Sequence, residues 1–139
     1  DRDALREGLA DGTLDCLCSD HQPHDLDAKL GAFPETEPGI SALETLLPLM
    51  LKLVEENVVT LAQGITSLTQ KPAGILRSAK GELTPGLAAD VCIFDPKQSW
   101  RADADTWKSQ GVNTPFWGHT FNGRATCTLQ NGLVIYSAS

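Results

Sequence analysis

Basic residues are scarce in this 139-residue chain: 11 Lys and Arg stand against 18 Asp and Glu, a formal charge of -7. Residues 1–60 carry 13 acids against 4 bases, a net of -9, and residues 61–139 carry 5 against 7, a net of +2. Neither half has the basic surface that nucleic acid requires, so no nucleic-acid partner is expected. Long apolar runs are missing too. None approaches the ~20 residues of a transmembrane helix, and the Asp-Arg-Asp-Ala-Leu-Arg-Glu start is no signal peptide. No membrane partner is expected, and the chain reads as cytoplasmic. Cys-x-x-Cys pairs are absent among Cys16, Cys18, Cys92 and Cys127. The strand-like, apolar contexts of these four point to buried reduced thiols, and Cys16 and Cys18 share a strand face, which favours packing over metal ligation. Internal repeats and low-complexity tracts are lacking. With 41% hydrophobic residues, the composition is that of a globular protein burying roughly two-thirds of its unfolded surface.

What is present is concentrated between Leu14 and Asp25, Leu-Asp-Cys-Leu-Cys-Ser-Asp-His-Gln-Pro-His-Asp. Leu14, Cys16, Leu17 and Cys18 suit a short buried strand over Thr13–Ser19, and Pro23 forbids continuing its ladder. Asp20, His21 and His24 then sit at the carboxyl end of a strand, where barrels of alternating strands and helices carry their active sites. An Asp and a His that merely cap a turn are the plainer reading of the same residues.

The rest of the chain gives the setting. Leu5 and Leu9, followed by Asp11-Gly12, mark the tail of a helix. Asp20 to Pro38, broken by Pro23, Gly31, Pro34 and Pro38, reads as a long loop, and long loops in compact domains are often functional. Ile40, Leu43, Leu46, Leu47, Met50, Leu51 and Val54 recur at helical spacing over about Ser41–Glu56, with Pro48 predicting a kink. Thr60 with Gln63 has capping-box spacing for a second helix, and a third turn follows at Pro72–Leu76. From Lys80 the pattern becomes β-rich: Val91–Phe94 reads as a strand stopped by Asp95-Pro96, and Asn131-Gly132 joins Thr126–Gln130 to Leu133–Tyr136 as a two-residue hairpin. Trp100, Trp107 and Trp117 are expected to anchor the intervening loops, with an aromatic binding platform as the alternative.

Several segments in order resemble one family. They are Asp20-His21-Gln22-Pro23-His24, the Glu37-Pro38-Gly39-Ile40 turn with Leu43-Glu44-Thr45 behind it, Pro72-Ala73-Gly74-Ile75-Leu76, the run from Gly81 to Asp90, and Asn113-Thr114-Pro115-Phe116. Over essentially all 139 residues the chain resembles the C-terminal third of the long-chain bacterial dihydroorotases, in the amidohydrolase superfamily. The resemblance implies an α/β architecture: the C-terminal part of a (β/α)8 metal-dependent hydrolase barrel plus strands of a small β-sandwich domain. Residues 1–79 would supply the last strand, active-site loop and closing helices of the barrel, and residues 80–139 the sandwich strands.

By the same resemblance, Asp20 matches the proton shuttle that faces the metal, His24 a substrate contact, and Pro38-Gly39 a backbone turn that touches dihydroorotate. Asp20 would be a metal ligand only with ligands from the upstream segment, where the family has His-x-His, a carboxylated Lys and two further His. His21 reads as a supporting residue. Zinc is the implied cofactor of the intact enzyme, with no metal expected on this chain alone and no activity from it. The implied partners are the upstream part of the same barrel and a homo-oligomer. Two positions depart from the family: Gln22 stands where Ala is usual, and Pro38-Gly39 where Phe-Gly is usual. Both changes resemble noncatalytic homologues that assemble with aspartate carbamoyltransferase. Three functions are therefore in play: a portion of a dihydroorotase, a noncatalytic scaffold for aspartate carbamoyltransferase, and an unrelated small binding domain. The Thr13–Ser19 strand is expected to have its edges paired by another polypeptide segment, which makes this chain a piece of a longer one.

Overall fold

The computed structural model describes residues 1–138. Helix α1 (Arg2–Asp11) ends at Gly12, whose φ of 86° is the left-handed closure that glycine reaches without a Cβ penalty. Two short 3₁₀ turns, Leu26–Lys29 and Phe33–Glu35, lie in the loop that follows. Next come α2 (Leu43–Glu55), α3 (Leu61–Leu68) and α4 (Gln70–Ile75). The chain closes with strands β1 (Val91–Arg101), β2 (Thr120–Gln130) and β3 (Leu133–Ser137), a three-stranded antiparallel sheet in the order β1-β2-β3. The described residues thus form a partial α/β assembly with a separate antiparallel sheet and no closed barrel. Among them, no helix is long and apolar enough to cross a membrane.

Helix α2 is the hinge between the two halves. Its periodic apolar residues bury Met50 against Gly64 of α3 on one side, where a Cβ on that glycine would stand 2.3 Å from the Met50 sulfur. Leu51 lies against Gly123 of β2 on the other side, where an added Cβ would stand 2.2 Å from Leu51 Cδ1. Both side chains are buried, each contributing roughly 1.5–3 kcal/mol of apolar burial. Asn122 Nδ2 also donates to Glu55 Oε1 at 3.1 Å. Pro48 is buried inside the helix, which runs through it without a break in the assignment. Helix α3 starts with both arms of the capping box, the Gln63 N–H on Thr60 Oγ1 and the Thr60 N–H on Gln63 Oε1.

Trp100, Ala102, Trp107 and Phe121 form the core of the sheet region. Trp100 Nε1 donates to the Gly123 carbonyl at 3.0 Å, and Trp107 Nε1 to Gly111 at 2.9 Å. Trp107 thus ties down its own loop, whereas Trp100, expected in a loop, stands within β1 itself. Trp117 is partly exposed and meets the Trp107 ring edge-on at 5.4 Å.

Three expectations require correction. Thr13–Ser19 forms no strand ladder among the described residues: Leu14 N–H donates to the Gly8 carbonyl of α1, Leu17 N–H to the Ser67 carbonyl of α3, Asp15 lies 3.7 Å from Lys71 Nζ of α4, and the first bridge, parallel, comes at His21 with Ile40. Alternating apolar residues report a face to be buried, whereas a strand also needs a neighbour to pair with. The cysteines are not buried: Cys18 and Cys92 are exposed, Cys16 and Cys127 half-buried, and all four are free thiols. Strand β1 is not stopped by Asp95-Pro96. It runs on to Arg101 across an irregularity between Asp95 and Ser99, because an edge strand can carry a proline where its ladder is interrupted.

Candidate functional site

The site is built where three segments meet: residues 20–24, residues 38–42 and residues 111–114. Gln22 N–H donates to the Ile40 carbonyl at 2.9 Å beside the His21–Ile40 bridge, which brings the first two segments side by side. Ser41 N–H donates to the Asn113 carbonyl at 3.1 Å, which brings in the third. The chain leading into the third segment is held from α2. Both Glu44 carboxylate oxygens accept from the Lys108 N–H, at 2.9 and 3.2 Å, and Oε1 also accepts from Ser109 N–H at 2.6 Å. Gly111 lies so close that an added Cβ would stand 2.5 Å from Pro23 Cβ.

Asp20 is exposed and has a φ of 44°, a left-handed backbone that Asp tolerates better than most residues. Such a conformation costs roughly 1–2 kcal/mol and recurs at functional positions. The two histidines can be given tautomers from their partners. His21 Nδ1 accepts from Ala42 N–H at 3.0 Å, so the proton of its neutral ring resides on Nε2. His24 Nε2 lies 2.7 Å from the Pro38 carbonyl, which has no hydrogen to give, so Nε2–H is the donor and Nδ1 keeps its lone pair when neutral. The turn at Gly39 needs its φ of 103°, and Gln22 covers it: a Cβ there would stand 2.4 Å from Gln22 Cβ.

The structure thus brings His24 and Pro38-Gly39 into one contact group and places Asp20 one residue from the bridge that organises it. Two further residues belong to the site and carried no local signal. Asn113 accepts from His24 N–H through Oδ1 at 3.0 Å, while its Nδ2 lies 3.3 Å from the Gln22 carbonyl and 3.5 Å from that of Gly39. Glu44 is the second. Their partners are 64 to 91 positions away in sequence, so only their places inside recognised segments pointed to them.

A catalytic zinc usually takes three protein ligands. Of the ring nitrogens near Asp20, His21 Nδ1 and His24 Nε2 are already spent on the backbone. Among the described residues, no group of three His, Cys, Asp or Glu gathers as a metal cluster would. These residues do not by themselves fit the ion.

The chain belongs to the amidohydrolase family, whose model matches residues 1–135. Within that family it is similar to dihydroorotases. It is 44% identical over 136 residues to the dihydroorotase of Syntrophus aciditrophicus, covering 98% of this chain and 32% of that protein. It is 45% identical over 136 residues to the dihydroorotase-like protein of Pseudomonas aeruginosa, with 98% and 32% covered. Among solved structures, the L-hydantoinase (dihydropyrimidinase) of Arthrobacter aurescens superposes with a TM-score of 0.86 at 30% identity, covering 96% of this chain and 31% of that one. The chain thus spans about a third of the length of the curated relatives it matches.

Proposed function

We propose that this chain is the C-terminal portion of a dihydroorotase, the enzyme that reversibly cyclises N-carbamoyl-L-aspartate to dihydroorotate in pyrimidine biosynthesis. In this reading residues 1–79 complete a (β/α)8 barrel with its upstream part, and residues 80–139 contribute strands of a small β-sandwich. The observation that supports it is the joining of His24 to Pro38-Gly39 by one hydrogen bond next to the exposed, left-handed Asp20. Those are the positions where the dihydroorotase resemblance puts a proton carrier and two substrate contacts.

In the hydrolytic direction Asp20 takes a proton from the water that attacks the ring amide carbonyl and returns it to the ring nitrogen as the C–N bond breaks. A positioned carboxylate in that role contributes about 10² to 10⁴ in rate. His24, held by the Pro38 carbonyl through Nε2, turns Nδ1 to substrate, and the backbone at Pro38-Gly39 forms the adjoining wall. Zinc would be held by ligands from the upstream part of the barrel, with Asp20 beside them. Homo-oligomerisation and assembly with aspartate carbamoyltransferase are the partner contacts this reading allows.

The test is dihydroorotate hydrolysis by the full-length protein that carries this chain, with zinc supplied, against its Asp20→Ala form. Loss of about 10² to 10⁴ in kcat on substitution supports the enzyme. An inactive parent that co-purifies with aspartate carbamoyltransferase and stabilises it decides for the noncatalytic scaffold.

A further inference from the structure

We propose that Asn113 is the positioning residue of this site, clamping the substrate-contacting pieces through a single side-chain amide; its effect on turnover rests on the dihydroorotase reading above. The amide orientation follows from its partners. Oδ1 faces the His24 N–H, which can only donate, and Nδ2 faces the carbonyls of Gln22 and Gly39, which can only accept. Flipping the amide would set NH₂ against N–H and oxygen against oxygen, so the assignment depends on no tautomer.

The clamp joins both halves of the contact group. Through Oδ1 it fixes the peptide that carries His24, and through Nδ2 it reaches both Gln22, beside Asp20 and His21, and the Gly39 turn. Its own position is fixed independently. The Asn113 carbonyl accepts from Ser41 N–H, Glu44 holds Lys108 and Ser109, and Trp107 Nε1 holds Gly111. The side chain therefore arrives already oriented, and ordering it costs little of what its hydrogen bonds return. Asn113 touches none of the reacting atoms. It acts by keeping His24 and the Gly39 turn in register.

The test uses the full-length protein and its Asn113→Ala and Asn113→Asp forms, read by amide hydrogen exchange and by steady-state kinetics. The His24 amide should exchange about tenfold faster in Asn113→Ala, while the Ser41 amide, bonded to the backbone carbonyl of residue 113, stays within about twofold of the parent. Asn113→Asp keeps an acceptor for His24 N–H but has no donor for Gln22 and Gly39. It should retain His24 protection while KM for dihydroorotate rises about tenfold, with kcat changed less, as in the Ala form. An unchanged His24 amide in Asn113→Ala overturns the clamp, and so does joint acceleration of His24 and Ser41, which would mean that the whole loop loosens. A fall in kcat at unchanged KM overturns the assignment to the substrate-contacting side. If the parent does not turn over dihydroorotate, the functional reading fails, and the exchange experiment still decides the clamp.

Discussion

His24 Nε2 donates to the carbonyl of Pro38 across 14 positions of chain at 2.7 Å, closing the loop between them at its base. Inside that closure, Glu37 N–H donates to the Ala28 carbonyl at 3.1 Å and Lys29 Nζ donates to the Glu37 carbonyl. Nε2 is thus committed to the loop, which in the proposed reading leaves Nδ1 for substrate, and the two ring nitrogens can be separated by substitution.

His24→Gln places an amide donor near the Nε2 position, whereas His24→Asn reaches only as far as Nδ1. The Gln form should keep the loop closed, and the Asn form should lose about 0.5–1.5 kcal/mol, the net worth of one hydrogen bond. Denaturant unfolding of the two full-length variants measures the difference. Equal stability of the two would show that the Pro38 contact contributes nothing.

Gly39→Ala meets two penalties of different origin. Its φ of 103° lies where a Cβ is strained, and that Cβ would also overlap Gln22, at 2.4 Å from Cβ and 2.5 Å from Oε1. The combined cost should exceed about 2 kcal/mol. Gln22→Ala leaves a Cβ in place, so it should recover only part of that loss. Full recovery in the double variant would mean that the backbone at 39 is unstrained.

Local signals were legible and partner-dependent ones were not. Thr60-Gln63 and Asn131-Gly132 act within a few residues, and both were readable: the capping box is complete, and Asn131 and Gly132 both have positive φ, at 49° and 79°. The strand expected at Thr13–Ser19 forms no ladder among the described residues, because pairing depends on a neighbour that no local pattern encodes. The same holds for β1, where Pro96 signals a stop only if the ladder needs that N–H. In the candidate site, the resemblance named Asp20, His24 and Pro38-Gly39, and the structure joins His24 to Pro38 by one hydrogen bond. The hydrogen bonds that assemble them come from Asn113 and Glu44, whose side chains look like ordinary polar surface until the chain folds back by 64 to 91 positions.

Gly123→Ala tests the docking of α2 on β2. The residue is buried with φ 96°, and its missing Cβ is the space that Leu51 Cδ1 enters. Trp100 Nε1 bonds the carbonyl of the same residue, so the backbone cannot retreat without breaking that contact. Overpacking here should cost about 1–3 kcal/mol on top of the backbone strain. Leu51→Ala in the same chain should recover the overpacking part while adding its own cavity. A double-mutant cycle measures the coupling, and additive losses would count against direct contact.

Asp90 ties the turn before β1 to the hairpin after β2. Its carboxylate accepts from Lys80 Nζ at 2.5 Å and from the Asn131 N–H at 2.8 Å, while Gly132 N–H donates to the Ala89 carbonyl at 3.0 Å. The Lys80 hydrogen bond first, and the Asn131 N–H second, hold the Asp90 carboxyl below its ordinary range. A folded-state pKa below the unfolded one means that the unfolded chain binds the proton more readily. The contribution of Asp90 is then fully present above the unfolded value of about 3.9 and is lost as pH falls through the lower folded value. Asp90→Asn removes the titration and keeps an oxygen for Asn131 N–H. The variant should therefore lose less stability than the parent between about pH 5 and pH 2. Identical slopes for parent and variant over that interval would show that the Lys80–Asp90 pair does not fasten the hairpin.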